Sequence, residues 1–283
     1  MWHRFRIVLD MIKIEHTLFA LPFAFMGALL AARGIPSLRV CFWILVAMVG
    51  ARSAAMAFNR LVDRKYDAAN PRTQKRALPA GLVSVPFVWL FTVGASLLLV
   101  LAAWALNPLA FALSPVALLV VFFYSFTKRF TAWSHAFLGV ALAIAPVGAW
   151  IAVAGSLSLP PLLLGGAVVC WLIGFDTIYA LQDIEFDREA GLHSLPVRFG
   201  PQKALRLARI FHAAMIAFLL ALGFVASLGM WYFLGVALAA ILVAVEHTLI
   251  SPTDLKRLNL AFFHVNSILS SVLLFFTLLD LLM

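Results

Sequence analysis

Charged residues and cysteines are both scarce in this chain of 283 residues. Only 12% of the residues are charged and only two are cysteines, whereas 64% are hydrophobic and the mean hydropathy is +1.04. This composition excludes an ordinary soluble globular protein, in which about a quarter of the residues are charged. Cys41 and Cys170 both fall in long apolar segments. We therefore expect them to pack as small apolar residues, and we predict neither a disulfide framework nor a paired metal site.

The sequence also lacks a recognisable cleavable signal, a low-complexity tract and a Gly/Ser-rich linker. The first apolar segment is much longer than the core of a signal peptide, and no convincing cleavage site follows it. Without a linker or a change in composition, the sequence predicts one integral-membrane domain over residues 1–283.

Long apolar runs make up most of the chain. Such runs can cross a hydrocarbon core of roughly 30 Å as α-helices. We therefore predict an all-α, polytopic membrane protein with about nine transmembrane helices, of which the eighth is the shortest. The predicted spans are 14–32, 40–58, 83–104, 109–126, 133–154, 162–181, 210–228, 231–245 and 260–282.

Lysine and arginine are distributed unevenly among the connections between these spans. If the N-terminus lies in the cytoplasm, 18 of the 21 basic residues fall on that side, Arg33 and Arg39 fall outside, and Arg52 lies within the second span. The positive-inside rule then predicts that the N-terminus lies in the cytoplasm and the C-terminus outside. The net charge of +9 therefore indicates no nucleic-acid partner, because the loop bias accounts for it.

The first residues, 1–13, place Arg4, Arg6 and Lys13 among apolar side chains. A segment of this kind can lie flat on anionic lipid. An ordinary flanking segment before the first span explains it equally well, so both interpretations stay open.

A first acidic cluster follows the second span. Asn59, Asp63 and Asp67 are four residues apart, so a continuing helix would present all three on one face. Pro71 cannot continue a helix interior, so this helix must end nearby. Converging carboxylate and amide oxygens suit a hard divalent cation such as Mg²⁺ rather than zinc.

A second acidic cluster follows the sixth span. Asp183 and Asp187 are again four residues apart, and Asp176 and Tyr179 fall on the same helical face, with Asp176 about two turns deeper in the membrane. Acids near a bilayer are costly unless a cation binds there. Two metal ions held by few carboxylates could share one diphosphate as a further ligand. The alternative is that these acids only solvate the helix ends in weak ion pairs, but two clusters on one side favour metal binding.

These two motifs carry a family resemblance. The patterns N-x-x-x-D-x-x-x-D at 59–67 and D-x-x-Y-A-x-x-D-x-x-x-D at 176–187 resemble those of the UbiA superfamily of intramembrane aromatic prenyltransferases, over nearly the whole chain. The resemblance implies an enzyme of quinone biosynthesis that binds membrane lipid, Mg²⁺ and a polyprenyl diphosphate. The implied metal ligands are Asn59, Asp63, Asp67, Asp183 and Asp187.

Three further segments refine the resemblance. Tyr124 and Lys128 are similar to the family's Y-x-x-x-K element, whose lysine contacts diphosphate, and segments 19–24 and 191–196 are similar to bacterial 4-hydroxybenzoate polyprenyltransferases. Arg60 departs from the pattern, because many relatives have aspartate there. Members that act on menaquinone precursors or other acceptors share the metal motifs, so the aromatic acid acceptor stays open.

The reaction that the resemblance implies is aromatic C-alkylation with release of diphosphate. We expect Lys128, Arg64 and Arg72 to hold the diphosphate, and Tyr179 to contact substrate. Asp176 could stabilise an allylic cation, accept the ring proton, or only form a hydrogen bond with Tyr179.

The remaining assignments each have two interpretations. Arg52 either pairs with an acceptor carboxylate or extends its charged end towards the membrane surface. His193 and Arg198 either close over the site or are simply solvated. The other histidines show no ligand spacing, and we expect them to be packing or interfacial residues. They are His16, His135, His212, His247 and His264.

Two classes of protein compete with the enzyme. An ion-coupled transporter also carries intramembrane acids, but these lie near the midplane at broken helices, whereas the acids here crowd the predicted cytoplasmic ends. A non-catalytic lipid-binding scaffold does not explain two converging acidic clusters. Only the enzyme predicts diphosphate release from a polyprenyl diphosphate.

Overall fold

The computed structural model describes residues 2–12, 17–252, 254–258 and 260–283. Apart from one isolated bridge between Ser251 and Asp254, these residues form only helices, turns and loops. The α-helices are α1 (Trp2–Ile12), α2 (Thr17–Ala32), α3 (Leu38–Val62), α4 (Arg64–Ala69), α5 (Val85–Leu106), α6 (Pro108–Thr127), α7 (Ser134–Ala154), α8 (Leu159–Tyr179), α9 (Ile184–Glu189), α10 (Leu195–Phe199), α11 (Pro201–Val225), α12 (Met230–Leu249) and α13 (Asn266–Leu282). A 3₁₀-helix, Ala180–Asp183, joins α8 to α9, and a π-helix, Leu260–Val265, precedes α13.

The predicted all-α membrane fold is confirmed. Within the described residues, eight helices are long and apolar enough to span a membrane, and they correspond to the second to ninth predicted spans. The first predicted span corresponds to α2, which has 16 residues, and its predicted start at 14–16 lies outside the described residues. His16 lies outside them as well. The seventh span was predicted to begin at residue 210, where the apolar run starts. Helix α11 begins earlier, at Pro201, so the preceding basic residues are part of the helix.

Helix boundaries follow local capping chemistry. The Ser84 hydroxyl accepts a hydrogen bond from the Phe87 N–H, and the Asn107 side chain accepts one from the Ala110 N–H. A proline lies in the first turn of each of these helices, where its missing N–H costs nothing. The Asn107 amide also donates to the carbonyl of Ile151, so the α5–α6 turn is fixed to the end of α7.

Helix α8 lies at the centre of the bundle and packs against α7 and α11. Trp171 in α8 is completely buried, with its ring 4.9 Å from that of Phe23 and 4.7 Å from that of Phe175. Large apolar side chains such as Leu90 and Phe224 are exposed on the outer helices. An exposed apolar surface on a bundle of spanning helices is the surface that faces lipid.

The N-terminal segment forms a helix that packs against the bundle. Met11 and Ile12 at the end of α1 are buried in a cluster with Ala57 of α3 and with Leu78. Arg60 of α3 donates a hydrogen bond from Nε to the Met11 carbonyl at 3.2 Å. Helix α1 is therefore held against the end of α3 where the first acidic cluster begins.

Replacing Gly50 with alanine should destabilise the α3–α5 contact. An added Cβ would lie 2.7 Å from the Leu99 nitrogen and 2.9 Å from the Ala95 oxygen, and these are backbone atoms that cannot move easily. Overpacking of this kind costs about 1–3 kcal/mol. We expect Gly50→Ala to lower the thermal midpoint of the detergent-purified protein. Gly94→Ala is the matched control, because its Cβ would meet nothing within 4 Å, and its midpoint should not fall.

Candidate active site

A cavity of about 1070 Å³ opens among the ends of α3, α6 and α8 and the segments that follow them. Both acidic clusters line this cavity, together with most of the other residues that the sequence identified. These are Arg52, Asn59, Asp63, Asp67, Arg72, Tyr124, Lys128, Asp176, Tyr179, Asp183 and Asp187. The two clusters therefore face one common space.

The first cluster lies at a break between two helices. Helix α3 ends at Val62 and α4 begins at Arg64, so Asp63 occupies the junction and the expected continuous helix is interrupted there. Nδ2 of Asn59 donates to Oδ2 of Asp63 at 2.8 Å. Nη2 of Arg129 donates to Oδ1 of Asp63 at 2.9 Å. Burial raises the pKa of Asp63 above its ordinary value, although the Arg129 charge opposes this shift.

Asp67 is bound by basic residues from both sides of the cluster. Its Oδ1 accepts a hydrogen bond from Nη1 of Arg76 at 2.6 Å, and its Oδ2 lies 3.9 Å from Nη1 of Arg60. Arg60, the residue that departs from the family pattern, is itself buried. This arginine therefore connects α1, through the Met11 carbonyl, with the carboxylate of Asp67.

The second cluster also departs from a regular helix. Helix α8 tightens into the 3₁₀-helix after Tyr179, so the expected single helical face from residue 176 to 187 is interrupted. Asp183 and Asp187 are nevertheless both buried at the cavity. A 3₁₀-helix rotates more per residue than an α-helix. The directions of the side chains after Tyr179 therefore differ from those that a 3.6-residue period predicts.

Arg72 joins the two clusters. Its Nε and Nη2 donate to the two carboxylate oxygens of Asp183 at 2.9 and 2.7 Å, and its Nη1 donates to the Tyr179 hydroxyl at 3.2 Å. Nδ2 of Asn70 also lies 3.5 Å from Oδ1 of Asp183. Burial lowers the pKa of Arg72, but the hydrogen bonds and charge of Asp183 outweigh it, so the net pKa is raised. The guanidinium therefore stays charged.

Lys128 brings a positive charge to the same space. Burial lowers its pKa, but the charges of Asp187, Asp176 and Asp183 outweigh this effect and raise it overall. The Lys128 carbonyl accepts a hydrogen bond from the His193 N–H at 2.7 Å. The loop after the second cluster thus holds the lysine by its backbone.

A carboxylate–imidazole pair lies deeper in the cavity wall. Nδ1 of His135 lies 2.6 Å from Oδ2 of Asp176, and the His135 side chain is buried, with Nε2 making no hydrogen bond to described residues. A tautomer that donates from Nδ1 to the carboxylate fits this contact. We expected His135 to be a packing residue, and its contact with Asp176 instead brings it to the site.

Three predicted site residues do not line the cavity. The side chains of Arg64, His193 and Arg198 are exposed, and none of them belongs to the cavity lining. Conversely, Asn70, Arg76, Arg129 and His135 all contact the acidic residues, and the sequence argument had assigned no site role to them. Arg76 and Arg129 were visible as basic residues beside the motifs, but His135 precedes Asp176 by 41 residues and carries no local signal.

The cavity also has an apolar side. Leu138 and Leu142 of α7, Leu172 and Phe175 of α8, and Phe262 of the π-helix line it. Phe262 stacks on the Tyr179 ring, with ring centroids 4.1 Å apart. One space therefore combines a charged end with an apolar wall.

The donor set fits magnesium. Oδ2 of Asp67 and Oδ2 of Asp187 are buried and make no hydrogen bond to described residues, so both can still accept a ligand. Within the described ranges, no three acidic, histidine or cysteine side chains converge closely enough to enclose a metal alone. A hard cation that completes its shell with water and phosphate oxygens matches such an incomplete set.

Comparison with known proteins gives concordant matches. The UbiA prenyltransferase family model matches residues 20–268. The chain is 35% identical to the 4-hydroxybenzoate octaprenyltransferase of Nitrosospira multiformis, over 85% of this chain and 82% of that protein. It is also 35% identical to the enzyme of the same name from Vibrio cholerae, over 78% of each chain.

Solved structures have the same fold. A UbiA homolog from Aeropyrum pernix K1 matches with a TM-score of 0.86 and 35% identity, covering 94% of this chain and 98% of that one. A UbiA homolog from Archaeoglobus fulgidus, bound to DMAPP and Mg²⁺, matches with a TM-score of 0.75 and 20% identity, covering 97% and 98%. These matches favour the enzyme over the transporter and the scaffold. The chain belongs to the UbiA prenyltransferase family, and it is a multi-pass membrane prenyltransferase.

Proposed function

We propose that this enzyme transfers a polyprenyl group from a polyprenyl diphosphate to 4-hydroxybenzoate or a closely similar aromatic acid, with Mg²⁺ as its cofactor. The observation that carries this proposal is the joint lining of one cavity by both acidic clusters, Lys128 and an apolar wall. Relatives named as 4-hydroxybenzoate octaprenyltransferases support the acceptor class. Distant homologs bound to DMAPP or GPP with Mg²⁺ support the donor and the metal.

The metal ligands are Asn59, Asp63 and Asp67 in the first cluster and Asp183 and Asp187 in the second. Magnesium bound there neutralises the charge that develops on the diphosphate as it leaves. The amide of Asn59 already orients Asp63 through their 2.8 Å hydrogen bond.

The basic residues of the cavity bind the diphosphate oxygens. Arg72 and Lys128 lie between the two clusters, and both remain charged because neighbouring carboxylates raise their pKa values. Arg76 and Arg129 contact Asp67 and Asp63, so they fix the positions of these carboxylates. The exposed Arg64 contributes long-range charge only.

The reaction begins when the allylic C–O bond of the donor breaks, and diphosphate leaves with the electron pair. The apolar wall excludes water from the resulting allylic cation, so the electron-rich ring carbon of the acceptor is the available nucleophile. A new C–C bond forms, and the ring proton passes to Asp176. His135 holds the Asp176 carboxylate in place through the 2.6 Å hydrogen bond from Nδ1.

Arg52 binds the carboxylate of the acceptor. It lies in α3, about two turns before Asn59, and lines the same cavity as the acidic clusters. A guanidinium group matches a carboxylate through two parallel hydrogen bonds. A menaquinone-pathway acid or another carboxylated ring could use the same contact, so the acceptor experiment below includes such compounds.

The protein is oriented with the cavity on the cytoplasmic side of a bacterial inner membrane. The loops around the cavity carry most of the lysine and arginine residues, and this bias sets orientation in membrane proteins. The N-terminus then lies in the cytoplasm and the C-terminus outside. Residues 1–283 act as one integral-membrane domain, since α8 serves both the core and the cavity.

The acceptor experiment tests this function directly. Purified protein is incubated with Mg²⁺, a labelled polyprenyl diphosphate and a panel of aromatic acids that includes 4-hydroxybenzoate, a menaquinone-pathway acid and benzoate. We expect diphosphate release and a prenylated product with 4-hydroxybenzoate, and loss of both when EDTA removes the metal. Turnover with the menaquinone-pathway acid alone would contradict the acceptor assignment.

Replacing Asp176 with asparagine should slow the chemical step. If Asp176 accepts the ring proton, Asp176→Asn should lower kcat by about 10²–10⁴-fold with little change in KM for either substrate. The variant should also show a larger kinetic isotope effect with ring-deuterated acceptor, because proton loss becomes rate-limiting. Glu185→Gln, an exposed neutralisation outside the cavity, is the control. Wild-type turnover by Asp176→Asn would remove Asp176 from the mechanism.

A further inference from the structure

A network of five polar side chains, four of them buried and His247 half-buried, lies away from the cavity lining, among α8, α11, α12 and α13. Its members are Trp171, His212, Glu246, His247 and Asn266. The reaction described above uses none of them. Glu246 is completely buried within a spanning helix, and Asn266 is completely buried at the start of another. Polar groups in such positions are costly and are kept where they serve a purpose.

Asn266 is the centre of this network. Its Oδ1 accepts a hydrogen bond from Nε1 of Trp171 at 2.6 Å, and its Nδ2 donates to Oε1 of Glu246 at 3.0 Å. The same nitrogen lies 3.0 Å from the Ala261 carbonyl oxygen and 3.1 Å from that of Phe262. Asn266 therefore fixes the backbone of the π-helix that precedes it.

The π-helix lies directly beside this side chain. Its wide turn, Leu260–Val265, interrupts the regular α-helical pattern of backbone hydrogen bonds, and π-helical turns are often found at functional sites. Nδ2 of Asn266 carries two hydrogens, which the carbonyl oxygens of Ala261 and Phe262 share with Glu246. The side chain thereby connects the π-helix with α12.

The two histidines extend the network. Nε2 of His212 lies 3.2 Å from the Trp171 carbonyl oxygen, which can only accept, so this nitrogen carries a hydrogen. Nδ1 of His212 lies 3.0 Å from Nε2 of His247 and 3.9 Å from Oε2 of Glu246. A glutamine at position 246 would keep an oxygen that can accept the hydrogen bond from Asn266.

A continuous set of contacts links this network to the charged end of the cavity. Phe262 stacks on Tyr179, and the hydroxyl of Tyr179 accepts a hydrogen bond from Arg72. Arg72 binds Asp183 through two hydrogen bonds. Phe262 also contacts the Phe175 ring, with centroids 5.4 Å apart, and both rings line the cavity. A displaced π-helix would therefore change the apolar wall and the support of Tyr179 together.

We propose that Asn266 and Glu246 are positioning residues for the prenyl donor. They hold the π-helix so that Phe262 forms the apolar wall and supports Tyr179, and they thereby determine how tightly the cavity binds a polyprenyl diphosphate. The inference rests on the proposed function only in that a polyprenyl diphosphate occupies this cavity. It does not depend on which aromatic acid is the acceptor.

The test compares donor binding by Asn266→Ala, Glu246→Leu and Glu246→Gln with that of the wild type. Loss of one or two buried hydrogen bonds at the π-helix should weaken binding of geranyl diphosphate, in the presence of Mg²⁺, by about tenfold in Asn266→Ala and Glu246→Leu. Glu246→Gln keeps the acceptor for Asn266 and should bind within about threefold of the wild type. Ser267→Ala, a substitution at the next residue of α13 and outside the cavity lining, is the matched control.

Two further measurements separate positioning from a general loss of structure. Affinity for the aromatic acid should stay near the wild-type value in all variants. Hydrogen exchange should increase in peptides that cover residues 260–266 of Asn266→Ala. Wild-type donor affinity in Asn266→Ala, or an equal loss of affinity for both substrates, would overturn the inference. Unchanged exchange at 260–266 would overturn it as well, whatever the acceptor. A wild-type protein that binds no prenyl diphosphate would instead refute the proposed function.

Discussion

Negative charge at the ends of membrane helices has to be compensated, and the ion pair between Arg72 and Asp183 shows how this chain does so. The guanidinium comes from the loop after the first acidic cluster, and the carboxylate belongs to the second. This contact crosses 111 residues of sequence and brings the two clusters to one cavity. A pair with two parallel charge-assisted hydrogen bonds has a defined geometry, so it relates the positions of the two segments to each other.

Helix α8 connects this charged region with the rest of the molecule. Trp171 packs inside the bundle, whereas Leu172, Phe175 and Asp176 face the cavity. The helix then tightens into a 3₁₀-turn and presents Asp183. This continuous segment therefore supplies buried core, apolar wall and a carboxylate at the cavity in succession, and the position of the site depends directly on the packing of the core.

The sequence predicted the parts of the molecule that depend on local pattern. Apolar run length identified the spans, and the four-residue spacing identified both acidic clusters, which line one cavity. Contacts between distant segments could not be predicted in this way. The pairing of His135 with Asp176 has no signal in residue spacing, because only the packing of α7 against α8 creates it.

The helices of the two acidic clusters are also less regular than the sequence predicted. The four-residue spacing predicted a continuous α-helix through Asp63 and through Ala180–Asp183, but the α-helix is interrupted at both places. The interruptions do not remove the acids from the cavity, because neighbouring arginines hold the carboxylates there. The sequence also left two interpretations open for the N-terminal segment. In the structure, α1 is held by a hydrogen bond from Arg60, which is the residue that departs from the usual family pattern.

The central claim is that both acidic clusters bind the same diphosphate through divalent ions. Its most direct measurement is Mg²⁺-dependent binding of an unreactive prenyl thiodiphosphate to the wild type, to Asp67→Asn and to Asp187→Asn. Each substitution removes one negative charge from a different cluster and leaves the side-chain volume nearly unchanged. The account predicts that either substitution alone abolishes most of the Mg²⁺-dependent affinity. Full Mg²⁺-dependent binding by one of the two variants would contradict it.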